Sequence, residues 1–318
     1  MKRILIAILV ILITGVIIFL VVSDFSSTKI VNRSANPYEI DMDEFKKVDP
    51  ALIKFKETKQ MMVLGTPKGF SVRNEYIYLL VDQQLQIINL NGELQHKIDL
   101  KNEAKSVDFI GDELIIGFKN YVARYSHDYK LIAKSDKQDS LAVFTSVATT
   151  DEFVFVADAG NRRILRYNHQ LELMGEFFGE SGDKKLHGFI VPSPYFDILT
   201  GKNNELWVVN PGTHAIQNYS PEGELIKQWQ KISNMTDGFS GCCNPAYLTV
   251  LPNGNFITSE KKIVRVKEYS HSGELLSVVA APEKFKVDGH APGVVAIDDN
   301  TILALDFDKK LIRFFRRQ

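Results

Sequence analysis

Cys242 and Cys243 are the only cysteines among the 318 residues, and they are adjacent. Neighbouring residues have Cα atoms about 3.8 Å apart across a trans peptide, closer than relaxed disulfides prefer. A bond between them would be strained, reducible and turn-forming, and an oxidising compartment would favour it. A second chemistry is open to the same residues. Cys243 stands two residues before Pro245, and His290 stands two before Pro292. If those prolines are equivalent points of a repeat, a thiol and an imidazole meet at one rim. Cys242 and Met235 would then be further soft donors for zinc or copper. Pro192 takes the corresponding place one unit earlier, so a third imidazole is missing, and no His-x-His pair occurs. Inert structural thiols are the third reading.

These residues can meet only if the chain is built from like units. Phe153 to Gly179 shows the unit most clearly: a hydrophobic strand, the turn Ala159-Gly160-Asn161-Arg162, a second strand ending at Tyr167, and a third closing before Gly179. The pattern returns over Leu206 to Trp229 and over Asn255 to Val279. Aligning copies on the large residue that ends one strand gives Ile88, Tyr125, Tyr167, Tyr219, Tyr269 and Phe314, at spacings of 37, 42, 52, 50 and 45. Units of that length, with three or four short strands each, bury their faces only against each other. Stacked radially they make an all-β, six-bladed β-propeller. The hairpin signals Asn91-Gly92, Glu222-Gly223 and Ser272-Gly273 recur after the aligned residue, where positive φ is needed. The sixth unit has strands for three positions only. A spare strand between Leu52 and Leu64 is expected to pair with Leu311 to Phe315 and close the ring, because an open ring would leave a long bare edge.

The stretch Val154-Phe155-Val156-Ala157-Asp158-Ala159-Gly160-Asn161-Arg162-Arg163-Ile164, followed by Phe178-Gly179, resembles an NHL repeat. The likeness is specific in the third unit, partial in units four to six, and faint in the first two. Gly241-Cys242-Cys243-Asn244-Pro245 with Ser259-Glu260-Lys261 is similar to membrane-anchored or exported bacterial NHL-repeat proteins. That resemblance implies the propeller fold. The family spans binding scaffolds, sensors and a few metal-dependent enzymes, so it implies little about activity.

With four strands per blade, the loop joining one blade to the next opens on the same side as the loop between a blade's second and third strands. The long connections Glu180 to Ser193, Lys231 to Asn244 and Pro282 to Gly293 therefore share one face. Long loops on a rigid scaffold are where binding residues collect. On that face Asp158, Asn161, Arg162, Asn210, His214, Glu260 and Lys262 are the candidate binding residues. Asp158, Asn210, Glu260 and Asp306 recur at the end of successive second strands. Such residues either fasten turns by bonding to loop amides or form a ring of oxygen ligands suited to calcium. Trp207 and Trp229 occupy strand positions suited to packing between blades.

The first 23 residues stand apart. Ile4 to Val22 is apolar except for Thr14 and Gly15 and follows Lys2 and Arg3, a pattern expected of a membrane-spanning anchor with a cytoplasmic N-terminus. A cleaved signal peptide is the competing reading. The expected organisation is an anchor over 1–23, a polar stalk over 24–50 and the propeller over 51–318. Setting aside Lys2 and Arg3, 36 basic side chains face 39 acidic ones, a balance of −3 that disfavours nucleic acid as a partner. No Gly-x-Ser-x-Gly elbow, phosphate loop, dinucleotide fingerprint or zincin helix is present. The sequence thus points to a tethered, non-enzymatic binding or assembly module on the outer side of a bacterial inner membrane, with a protein or glycan partner and no required cofactor. The alternative is a metal-dependent lyase or hydrolase, or a redox or metal-handling accessory protein, working through Cys242, Cys243 and His290.

Overall fold

Strands form where apolar residues alternate between turn residues, because each blade must present one side chain in two to each neighbouring blade. The computed structural model describes residues 10–21, 43–180 and 187–318. Among these, the strands make six antiparallel four-stranded sheets. Blade one runs from Pro67–Arg73 to Leu94–Asp99, blade two from Ala104–Ile110 to Leu131–Lys134, and blade three from Phe144–Thr149 to Leu173–Phe177. Blade four runs from Ile198–Thr200 to Leu225–Gln230, and blade five from Tyr247–Val250 to Leu275–Ala280. The six residues used to align the units all lie on the third strands of their blades.

Blade six is closed by the two ends of the domain. Its strands Gly293–Asp298, Thr301–Asp306 and Leu311–Arg317 are completed by Phe55–Met62. Met62 lies opposite Leu311 and Glu57 opposite Phe315, as the sequence predicts. Arg313 binds Glu57 at 2.7 Å across this seam, so a largely buried ion pair joins the ends as well as the ladder. The hairpin glycines Gly92, Gly223 and Gly273 have φ of 99°, 91° and 85°, the left-handed geometry that their turns require.

The core lies between blades rather than within them. Phe155 and Phe177 of blade three meet Phe189, Phe196 and Tyr219 around blade four. Trp207 of blade four packs edge-on against Phe256 of blade five, and Trp229 packs on Tyr269, which places both indoles where inter-blade packing was expected. Polar side chains stitch the innermost strands together. Asp108 accepts from the Thr149 amide at 2.8 Å and from its hydroxyl at 3.0 Å. Asp197 accepts from the Leu248 amide at 2.8 Å, and the Ser146 hydroxyl donates to the Ile198 carbonyl at 3.1 Å. Burial pushes both carboxyls up to about 6, against the hydrogen bonds that favour their ionised forms.

The expected membrane-spanning helix is not supported. Residues 10–21 are helical, and twelve residues fall short of the roughly 20 that a bilayer core requires. No helix among the described residues is long and apolar enough to cross a membrane. The rest of the apolar run, and most of the polar stretch from Ser23, lie outside the described residues. Asp43 to Gln318 is one compact unit.

Candidate functional site

The residues that end the second strands serve mainly to hold the fold. Asp158 is fully buried. It accepts from the amide of Val143 at 2.9 Å, from the Asn161 side chain at 2.8 Å and from Arg163 Nε at 3.0 Å. Asn210 accepts from the Ile190 amide at 2.9 Å and donates to the Gly188 carbonyl at 3.1 Å. Asp306 accepts from the Lys309 amide at 2.9 Å and from Arg313 Nε at 3.0 Å. Asp158 and Asn210 fasten their blades to the connection in front of them, while Asp306 holds its own turn. The backbone closes on the blade-three turn: a Cβ added to Gly160 would sit 1.9 Å from the Leu141 carbonyl oxygen. Each of these oxygens is taken up by protein donors, and among the described residues no group of three or more acidic side chains is placed to hold a cation. His214 is held through Nδ1 against the Asn244 carbonyl at 2.9 Å. Arg162 and Lys262 occupy left-handed turn positions, φ 54° and 68°, with exposed side chains.

Glu260 departs from this pattern. It is buried with Arg265 and Lys267, which it contacts at 3.0 and 2.7 Å. Lys267 also donates to the carbonyls of Thr236 at 3.1 Å and Gly238 at 2.6 Å, and lies over the rings of Phe239 and Tyr269. A buried cation thereby moors the connection that carries the cysteines. Burial pulls the Lys267 ammonium down to about 8, although Glu260 favours the charged form.

The cysteines belong to the cluster the structure does assemble. Cys242 is exposed and Cys243 is 1% exposed, both are free thiols, and their sulfurs lie 3.2 Å apart. Burial alone would raise the Cys243 thiol. Hydrogen bonds from Ser193, Cys242 and Lys261, with the Lys261 charge, outweigh it and bring the thiol below its ordinary value. Lys261 Nζ is 3.2 Å from Ser193 Oγ and 5.2 Å from the centre of the Tyr195 ring. Tyr195 packs edge-on against Tyr247, with ring centres 5.6 Å apart. Burial raises the Tyr195 phenol; the Ala291 amide opposes this, while Asp308 and Cys243 add to it. Ser193 and Tyr195 precede blade four, Cys243 precedes blade five, Lys261 follows its second strand, and Ala291 precedes blade six. Connections from four neighbouring strand ends therefore converge on one rim.

Tyr195 interacts with Cys243 and with Asp308, the residue that binds His290, but Cys243 and His290 do not form a metal set. His290 Nδ1 is bound to Asp308 Oδ1 at 2.9 Å, and Asp308 also accepts the His290 amide. Among the described residues no group of three or more His, Cys, Asp or Glu is placed to hold a metal ion. The zinc or copper expectation thus lacks a donor set. Sequence reasoning chose Lys262 where its neighbour Lys261 faces the thiol, and passed over Ser193, Tyr195 and Asp308. One signal for Ser193 was available: the register that equates Cys243 with His290 sets Pro192 at the same height, next to Ser193.

No family model matches this sequence, and no curated protein does. Solved structures match it by fold. Virginiamycin B lyase from Staphylococcus aureus superposes with a TM-score of 0.57 at 13% identity, covering 83% of this chain and 100% of that one. A streptogramin B lyase gives 0.57 at 11% identity, over 85% of this chain and 90% of that one. The Pan2 WD40 domain of Neurospora crassa gives 0.56 at 9%, over 85% and 97%. At such identities the likeness speaks for the propeller fold alone. NHL membership accordingly goes no further than the resemblance in the repeat residues.

Proposed function

We propose that this propeller is a binding or assembly module that takes a protein partner on the loop face of blades three to six. The observation that carries this reading is apolar exposure on the long connections themselves. Ile190 precedes blade four, Ile232 and Met235 precede blade five, and Val287 precedes blade six; Ile232 is 69% and Val287 71% exposed. Large apolar side chains held outward on three neighbouring loops are suited to anchoring a partner, with Arg162 and Lys262 as polar rim. A glycan would instead need aromatic platforms, and Tyr195, Tyr247 and Phe307 near this rim are packed against one another.

The apolar run from Ile4 to Val22 supports tethering of the module to the inner membrane, with the propeller on its outer side. Recovery of the full-length protein in alkali-washed membranes, with the propeller open to external protease, tests this placement. For the loop face, photo-crosslinking side chains placed at Ile232 or Val287 should give a discrete protein adduct in cells. The same probe at Leu94, on an outermost strand, should give none. Equal labelling from both places would sink the proposal, and adducts with polysaccharide alone would move it to the glycan reading.

A further inference from the structure

The cysteine pair lies on the same connection as Ile232 and Met235, but its arrangement suits a different chemistry. Cys242 offers an exposed sulfur on a turn where Gly241 takes φ of 71° and nothing lies within 4 Å of an added Cβ. Cys243 sits behind it, buried, with its sulfur 3.2 Å from that of Cys242. Lys261 and Ser193 form a hydrogen-bonded pair at 3.2 Å beside the buried sulfur, and the Tyr195 ring shields the ammonium. One sulfur can thus be reached from solvent. The other cannot, yet it has a cation beside it and its neighbour within attacking distance.

We propose that Cys242 and Cys243 form a thiol–disulfide exchange site for low-molecular-weight disulfides, with Cys242 as the entering sulfur and Cys243 as the resolving one. In the first step the Cys242 thiolate, having lost its proton to solvent, attacks one sulfur of the small disulfide. A bond forms between Cys242 Sγ and that sulfur, the disulfide bond breaks, and the first small thiolate departs with the electron pair. In the second step Cys243 gives up its proton to the departing small thiolate or to solvent, and its thiolate attacks Cys242 Sγ. The Sγ–Sγ bond forms, the mixed disulfide breaks, and the second small thiolate leaves. The small disulfide is reduced to two thiols and the dithiol is oxidised to a vicinal disulfide. Closing so small a ring between adjacent residues is strained, so the same path runs backwards readily when small thiols are in excess. Lys261 assists the second step by favouring loss of the proton from the buried sulfur, as a neighbouring ammonium does for reactive thiols generally.

The test uses the reduced full-length protein and dithiobis(nitrobenzoate), an aromatic disulfide that releases a coloured thiolate. The wild type should release two coloured thiolates per chain, retain no adduct and lose two hydrogens in mass. Cys243→Ser should release one and keep one adduct on Cys242. Cys242→Ser should react about tenfold more slowly or worse, because its remaining thiol is buried. Lys261→Gln should slow the second release about tenfold and leave the first unchanged, while Lys261→Arg stays near the wild type. Retained adducts on the wild type would overturn the proposal without recourse to any variant. So would a Cys242→Ser protein that reacts as fast as the wild type. An unchanged second release in Lys261→Gln would overturn the role of the lysine.

Discussion

Blades three and five place a carboxylate at the same register position and use it in opposite directions. In blade three, Asp158 reaches forward to the Val143 amide and so holds the connection that precedes its blade. In blade five the connection supplies the acceptor instead: Asn244 Oδ1 takes the Lys261 amide at 2.9 Å, and Asn244 Nδ2 donates to the Ser240 carbonyl at 2.7 Å. Glu260, freed from the turn and one methylene longer, goes inward to Arg265 and Lys267. The exchange of roles has a functional consequence. Lys267 grips the carbonyls of Thr236 and Gly238, so the cysteine-bearing connection is anchored at its middle by a buried ammonium and at its end by Asn244. A long loop carrying exposed apolar and sulfur side chains is thereby kept in one place.

The comparison is broken most directly at the two carboxylates. Glu260→Leu leaves two buried cations without their anion and should cost about 3–5 kcal/mol in denaturant unfolding. Asp158→Ala removes acceptors from groups that partly regain water, because Arg163 still has Glu176 at 2.6 Å, and should cost about 1–3 kcal/mol. Replacing Glu260, Arg265 and Lys267 together by apolar residues of similar volume should recover much of the larger loss. Equal costs for the two single variants would mean that the buried triad is no different in kind from an ordinary cap.

Titration sharpens the same contrast, since Lys267 has no counterpart in blade three, where Ile164 to Arg166 carry no buried ammonium. Its folded-state value lies near 8 against an ordinary 10.5. Between those values the unfolded chain keeps a proton that the folded protein has released, so this group makes stability rise with pH across that window. Below pH 8 both states are protonated and the contribution is flat. Comparison of the wild type with Lys267→Met should therefore show the wild type gaining on the variant from pH 8 to 10.5, by up to about 3 kcal/mol. A constant difference across the window would show that the ammonium is not desolvated by its neighbours.

Much of this architecture was legible because it rests on repetition. The spacing of Tyr167, Tyr219 and Tyr269 gives the blades, and the three strands left for blade six require a fourth from Leu52 to Leu64, which the pairing of Phe55–Met62 supplies. Equivalent prolines set Cys243 and His290 at corresponding positions ahead of adjacent blades. What repetition hides is the direction of a side chain. Glu260 occupies the place of Asp158, so the alignment assigns it to the turn, and only tertiary packing with Arg265 and Lys267 sends it inward. Lys261 and Lys262 are indistinguishable in sequence, yet the left-handed φ of Lys262 turns one to solvent and the other to the thiol.

The smallest effects lie at the outer contacts between blades, where the same inversion recurs. Arg166, just before the aligned Tyr167, reaches forward to Glu222 of blade four at 3.2 Å. Its counterpart before Tyr269 is Glu268, which takes Arg317 of blade six at 2.8 Å and is buried with Ser277 and Asn255 as further donors. The charges are exchanged and so is the solvent. Burial would raise the Glu268 carboxyl, but Arg317, Ser277 and Asn255 outweigh it and hold it below its usual range. A carboxyl lowered in the folded state stabilises above its ordinary value near 4.5 and loses that stabilisation as pH falls further. Arg317→Gln should thus cost about 1–3 kcal/mol at neutral pH, and that difference should shrink on acidification. Glu222→Ala removes a carboxylate that is itself 66% exposed and leaves Arg166 on the Pro221 carbonyl, so it should cost less than about 0.5 kcal/mol, an effect that should vanish in high salt. If the two substitutions prove equally mild, solvent reaches Glu268 as freely as it reaches Glu222, and the C-terminal strand is held by its ladder alone.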